Sequence, residues 1–326
     1  MIDKKQPLLQ IKNLTVTFKV QDGTVKAVNG ISFKVYNGEI VGIVGESGSG
    51  KSQSMLAIMG LLAQNGITHG SVVFNGTELI GLKDNALNKI RGNEIAMVFQ
   101  DPMTSLNPYL KISAQMTEIL ILHKQISYKQ ALAKSIEMLE KVKIPDAKNR
   151  IHLYPHEFSG GMRQRVMIAM MLLTSPKLLI ADEPTTALDV TVQAQILELL
   201  KELRKELGMA IVFITHDMGV VANLCDRVNV MYGGGLMETA TIDQIFNSPA
   251  HPYTQALLNS IPSIDEEVEK LLTIAGEPPN LLQLPDGCPF QNRCSSFTQN
   301  CINNVSLRRI SSRHVSKCTL PIGEPI

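Results

Sequence analysis

One octapeptide constrains this chain more than any other feature. Gly45-Glu-Ser-Gly-Ser-Gly-Lys-Ser52 fits the pattern G-x-x-x-x-G-K-[ST] in full. It follows Glu39 to Val44, an apolar run that reads as a buried strand, and it leads into Gln53 to Leu62, which reads as a helix. Glycines let backbone N–H groups turn inward and approach phosphate oxygens without side-chain obstruction. The helix start adds the positive end of its dipole. Gly45, Glu46, Ser47, Gly48, Ser49 and Gly50 are therefore expected to cradle phosphates, Lys51 to reach the β- and γ-phosphates of ATP, and the Ser52 hydroxyl to ligate Mg²⁺.

The rest of the chain supplies a sheet for that loop. Ile95 to Phe99, Lys177 to Ala181 and Ala210 to Thr215 read as further buried strands, separated by helical patterns. Val72 to Phe74 followed by Asn75-Gly76 reads as a hairpin with a type I′ turn, an added antiparallel layer near the N-terminus. Val192 to Leu207 carries apolar residues at helical spacing, with Glu202 and Lys205 placed to pair and Gly208 to end it. Ile112 to Val142 is helical, with a break near Gln125-Ile-Ser127. The expected fold class is α/β, a phosphate-loop NTPase core with a mixed sheet.

The strand Lys177 to Ala181 ends in Asp182 and Glu183. Charges at the end of a buried strand are costly unless they meet a cation. Asp182 suits Mg²⁺; Glu183, one residue on and pointing elsewhere, suits polarising a water for attack on the γ-phosphate.

Composition removes several function classes. A net charge of +1 argues against whole-surface nucleic-acid binding. The longest purely apolar run, Val166 to Leu173, is too short to cross a bilayer. The start, Met1 to Lys5, lacks a secretory signal, so the expected location is the cytosol, with membrane contact through partners.

At Phe158-Ser-Gly-Gly-Met162 the sequence resembles the signature of the ABC ATPases. Gln100 resembles the Q-loop glutamine, Thr186-Ala-Leu-Asp189 the D-loop and His216 the switch histidine, all in family order. The signature departs from the usual one at Phe158, where leucine is common, and at Met162, where glutamine is. The resemblance implies a head-to-tail pair of ATPase subunits with ATP between the phosphate loop of one and the signature of the other. Ser159, Gly160 and Gly161 would face the γ-phosphate held by the partner, and His216 would contact the γ-phosphate. Gln100 would sense Mg²⁺ and the attacking water while coupling to membrane subunits. Phe18 is the candidate aromatic for stacking on adenine, against its ordinary role as a core residue of a strand.

From Pro249 prolines crowd the chain, and four of its five cysteines follow as Cys288-x5-Cys294-x6-Cys301-x16-Cys318. Spacing alone fits neither a zinc finger nor a ferredoxin run, and leaves a metal or free thiols open. The remaining cysteine, Cys225, reads as a buried core thiol. Gly287 to Cys294, His251 to Leu257, Gln100 to Pro108 and Tyr154 to Ser159 resemble the peptide branch of ABC importers, nearer its dipeptide than its oligopeptide type. In that branch the four cysteines are associated with a [4Fe–4S] cluster, and Arg293, Arg308, Arg309, Arg313 and Lys317 could offset its charge. Zinc and unligated thiols are the alternatives.

The resemblance implies an ATPase domain over 1–248, with a helical signature subdomain at roughly 101–175 and a C-terminal extension over 249–326. It further implies a second ATPase subunit, two transmembrane permease subunits and an extracytoplasmic peptide-binding protein, with this chain peripheral at the cytoplasmic face of the membrane. The rivals are an importer ATPase for nickel, an opine or an oligosaccharide, and a soluble ABC protein without a transport role.

Overall fold

The computed structural model describes residues 6–99, 106–186, 188–261, 274–303 and 305–320. The strands in chain order are β1 Leu9–Val20, β2 Gly23–Val35, β3 Ile40–Val44, β4 Gly66–Phe74, β5 Thr77–Glu78, β6 Ile95–Val98, β7 Leu178–Asp182, β8 Ala210–Thr215, β9 Arg227–Tyr232, β10 Gly235–Thr241, β11 Arg308–Ser311 and β12 His314–Ser316. The chain divides into two compact units. One comprises Met1–Tyr36, Ile40–Gly81 and Ile214–Ile326, the other Asn37–Glu39 and Leu82–Phe213.

In the first unit β2, β1, β4 and β5 form an antiparallel sheet in that order. Leu9, Ile11, Leu14 and Val16 of β1 are buried, and the spacing slips between Ile11 and Leu14 where the ladder shifts register. Asn75 and Gly76 take φ of 47° and 84°, the two left-handed residues that a type I′ turn requires. In a separate sheet β3 is buried at every residue and runs parallel to β9. From β9 the order continues antiparallel through β10, β12 and β11. The proline-rich tail is thus joined to the sheet by a strand. Three-residue β12 is too short to leave a periodic signal in the sequence.

In the second unit, which holds β8 as far as Phe213, the strands β8, β7 and β6 follow in order, with β6 parallel to β7. The helices Ile112–Lys124 and Tyr128–Lys141 are split where expected. Gln125 turns left-handed at φ 53°, and Ser127 with Gln130 forms a capping box for the second helix. The Val190–Leu207 helix begins two residues before the expected Val192, because Asp189 accepts from the Val192 N–H at 2.9 Å and caps it. Gly208 ends it at φ 64°. The expected pair Glu202–Lys205 is replaced. Glu202 instead meets Lys143, 2.7 Å away, because the end of the Tyr128–Lys141 helix brings that ammonium within reach. No helix among the described residues is long and apolar enough to cross a membrane.

Candidate functional site: a phosphate loop braced by the C-terminal extension

β3 delivers the chain to Gly45, and the helix that follows spans Lys51–Ile58, not the expected Gln53 to Leu62. Its N-cap is Gly50 at φ 94°, which lets the loop turn straight into the helix with the lysine as first residue. A β-carbon at Gly50 would collide with the Ala27 carbonyl oxygen. The Lys51 side chain is buried, and its ammonium donates to the carbonyls of Gly45 and Glu46 at 2.7 and 2.9 Å. The loop is thereby folded back on its lysine, with Ser47 and Gly48 exposed at its crest, Ser49 buried and Ser52 half-buried. Phe18 is half-buried on β1, its ring against Gly66.

Glu46 is held from the C-terminal extension. Its N–H donates to the hydroxyl of Tyr253, 2.9 Å away, on the Pro252–Asn259 helix. Its carboxylate accepts a two-pronged contact from the Arg293 guanidinium, at 2.6 and 3.0 Å. Burial pushes the Tyr253 phenol well above its usual range, so it stays a neutral acceptor. His216 is exposed after β8, and Asp217 caps the Met218–Leu224 helix through Gly219 and Val220.

The acidic pair belongs to the second unit. Asp182 closes β7 with 7% exposure, and Glu183 follows at φ 46°. A non-glycine residue held left-handed is strained, and such strain persists only where surrounding structure enforces it. Thr186 supplies that enforcement, its hydroxyl donating to the Glu183 carboxylate at 3.0 Å and its N–H to the Glu183 carbonyl at 3.2 Å. Gln164, fully buried on the signature helix, donates to the Pro184 carbonyl. That helix spans Gly160–Leu172 with Ser159 as its N-cap, and Ser159 and Gly160 are exposed at its start. Gly161 packs so tightly on Val192 that a β-carbon there would sit 2.7 Å from a valine methyl. Gln100 and Ala187 lie outside the described residues.

Cys288, Cys294, Cys301 and Cys318 are free thiols that line one cavity together with His251. Burial pushes the Cys288 thiol up to about 11, and raises Cys294 and Cys318 as well. At Cys301 burial also raises, but the Thr319 and Thr298 hydroxyls 3.5 Å away outweigh it and the net direction is down. A four-thiol set suits soft metals and iron–sulfur clusters. Among the described residues, however, no group of three or more His, Cys, Asp or Glu side chains is placed to hold a metal ion. The iron–sulfur expectation therefore gains a shared cavity from the structure and nothing more. Cys225 is a buried thiol, with its pKa pushed well up by burial, as a core residue should be.

These features define an ATP-binding cassette. Solved structures agree: the dimeric cassette MJ0796 bound to ADP and Pi matches with a TM-score of 0.64 at 30% identity, over 72% of this chain and 98% of its own. CbiO1 from Clostridium perfringens, part of the ABC transporter complex cbiONQ, matches with a TM-score of 0.63 at 28% identity, over 74% and 91%. The family model "ABC transporter" matches residues 28–186, and "Oligopeptide/dipeptide transporter, C-terminal region" matches 237–301. The oligopeptide transport ATP-binding protein OppD of Haemophilus influenzae is 57% identical over 96% of this chain and 97% of its own length. OppD of Escherichia coli is 55% identical over 97% and 94%. This chain belongs to the ATP-binding proteins of ABC transporters, as an ATP-hydrolysing subunit of such a transporter.

Proposed function

We propose that this chain powers the uptake of oligopeptides as one ATPase subunit of an ABC importer. The observation that carries the reading is the near-full-length identity to oligopeptide transport ATP-binding proteins, tail included. Dipeptides are the second reading, favoured by the description of the C-terminal family and by the tail motifs. The partners are a second ATPase subunit, two permease subunits that span the membrane, and an extracytoplasmic peptide-binding protein. The chain itself sits on the cytoplasmic face of the membrane. Its ATPase domain covers 1–248, with the signature subdomain at roughly 101–175, and its extension covers 249–326.

In this reading the loop N–H groups from Gly45 to Gly50 bind phosphate oxygens, and Lys51 leaves its loop carbonyls to neutralise the β- and γ-phosphates. Ser52, Asp182 and Gln100 are the oxygen donors for Mg²⁺, which when bound neutralises charge on the phosphates; hydroxyl and carboxylate oxygens are the donors that ion takes. Glu183 orients and deprotonates the attacking water, His216 and Gln100 contact the γ-phosphate end, and Phe18 stacks on adenine. Ser159, Gly160 and Gly161 at the start of their helix present N–H groups to the nucleotide of the partner subunit. Cys288, Cys294, Cys301 and Cys318 hold a [4Fe–4S] cluster, a reading supported by their shared cavity.

The importer reconstituted in proteoliposomes tests the substrate. Hydrolysis stimulated by oligopeptides of four or five residues supports the reading; stimulation by dipeptides alone, or by nickel or an oligosaccharide, replaces it. Iron, sulfide and zinc analysis after anaerobic purification tests the tail. About four irons and four sulfides per chain are expected; stoichiometric zinc or no metal would end the cluster assignment and leave the ATPase intact.

A further inference from the structure

We propose that Arg293 is a positioning residue of the nucleotide site, through which the C-terminal extension sets the charge and shape of the phosphate loop. This rests on the reading of Gly45 to Ser52 as the ATP site. All three guanidinium nitrogens are used. Nη1 and Nη2 grip the Glu46 carboxylate at 2.6 and 3.0 Å, and Nη1 also donates to the Tyr232 hydroxyl at 3.1 Å. Nη2 and Nε donate to the carbonyls of Ile274 and Ala275 at 3.0 and 2.9 Å. The guanidinium also stands 5.7 and 5.8 Å from the ring centres of Tyr232 and Phe290. Its side chain is 4% exposed and that of Glu46 24%.

As a mere anchor this would be a poor choice. A largely desolvated ion pair often contributes no more to stability than an apolar contact of the same volume. Its placement has a different consequence. Glu46 is the second residue of a loop that must accept a polyanion, and a bare carboxylate there repels it. The Glu46 carbonyl is also one of the two that hold the Lys51 ammonium. Arg293 therefore neutralises the charge and fixes the residue that seats the lysine. Arg293 lies on the turn Gln291–Arg293, immediately before Cys294, the second of the four thiols.

The test uses the full-length chain, a fluorescent ATP analogue with Mg²⁺, and steady-state ATP hydrolysis. Arg293→Gln is expected to raise both Kd and KM about tenfold, with kcat within about twofold, the signature of lost binding. Arg293→Lys, which keeps charge but loses the fork, recovers part of the loss. Adding Glu46→Gln to Arg293→Gln removes the exposed charge and restores Kd to within about threefold of wild type. A purely structural role predicts the reverse, a double variant no better than the single one. Unchanged Kd and KM in Arg293→Gln, or no rescue in the double variant, overturns the proposal. Should Arg293→Gln fail to fold, Arg293→Lys decides: about threefold weaker binding supports the proposal, and wild-type binding overturns it. Lys51→Ala is the control for the underlying site; if it binds as wild type does, it is the ATP-site reading that fails.

Discussion

Replacing Gly50 by alanine tests how the phosphate loop is held. Gly50 sits at φ 94°, and alanine in a left-handed conformation costs about 1–2 kcal/mol. The new methyl would strike the Ala27 carbonyl oxygen and lie 3.4 Å from the Gly234 Cα. Both neighbours are backbone. Ala27 belongs to β2, and the Asn29 N–H after it is bonded to the Gly234 carbonyl at 2.8 Å, so no flexible side chain can swing aside. Overpacking of this kind costs a further 1–3 kcal/mol, roughly. The sum, about 2–5 kcal/mol, is a large share of a typical stability of about 5–15 kcal/mol. Gly48 is the internal control. Its φ of 77° is equally left-handed, yet nothing lies within 4 Å of a β-carbon there, so alanine should cost only about 1–2 kcal/mol. Urea unfolding of both variants, with and without ATP and Mg²⁺, makes the comparison. Equal destabilisation by the two substitutions would refute the collision argument, as would a Gly50→Ala midpoint matching wild type.

Other expectations follow from the same structure. Glu183→Gln should retain ATP binding while slowing single-turnover hydrolysis about 100-fold or more; equal rates would remove Glu183 from the chemistry. His251 is buried, and burial pushes its pKa down to about 4, with the Glu238 charge offsetting only part. The unfolded chain then binds the extra proton first, so stability holds above about pH 6.5 and falls as pH drops toward 4, by roughly 3 kcal/mol in all. In His251→Asn the urea midpoint should lose that part of its pH dependence; an unaltered slope would mean another group carries it. Asp189→Ala removes the cap on the Val192 N–H and should cost about 1 kcal/mol, read as a lowered urea midpoint of the chain.

Local chemistry was legible in the sequence where it depends on residues a few positions apart. The phosphate loop, the break at Gln125 to Ser127, the Asn75-Gly76 turn and the Gly208 stop are set by short-range sterics and hydrogen bonds, so the residues themselves announce them. Helix starts were less legible, since Asp189 and Gly50 act before the apolar pattern begins. Two features belong to the tertiary structure alone. Arg293 meets Glu46 across 247 positions, and neither residue has a local reason to be paired. β12 joins β10, and there the fully buried Glu238 accepts from the N–H groups of Ala250 and His251 and pairs with His314, 2.6 Å away. The left-handed Glu183 is local, held by Thr186 three residues on, yet it went unread because glutamate has no intrinsic preference for that conformation. Pattern fixes what each segment can become, because secondary structure is made by near neighbours; which distant charges meet is decided only when the packed chain leaves them no alternative.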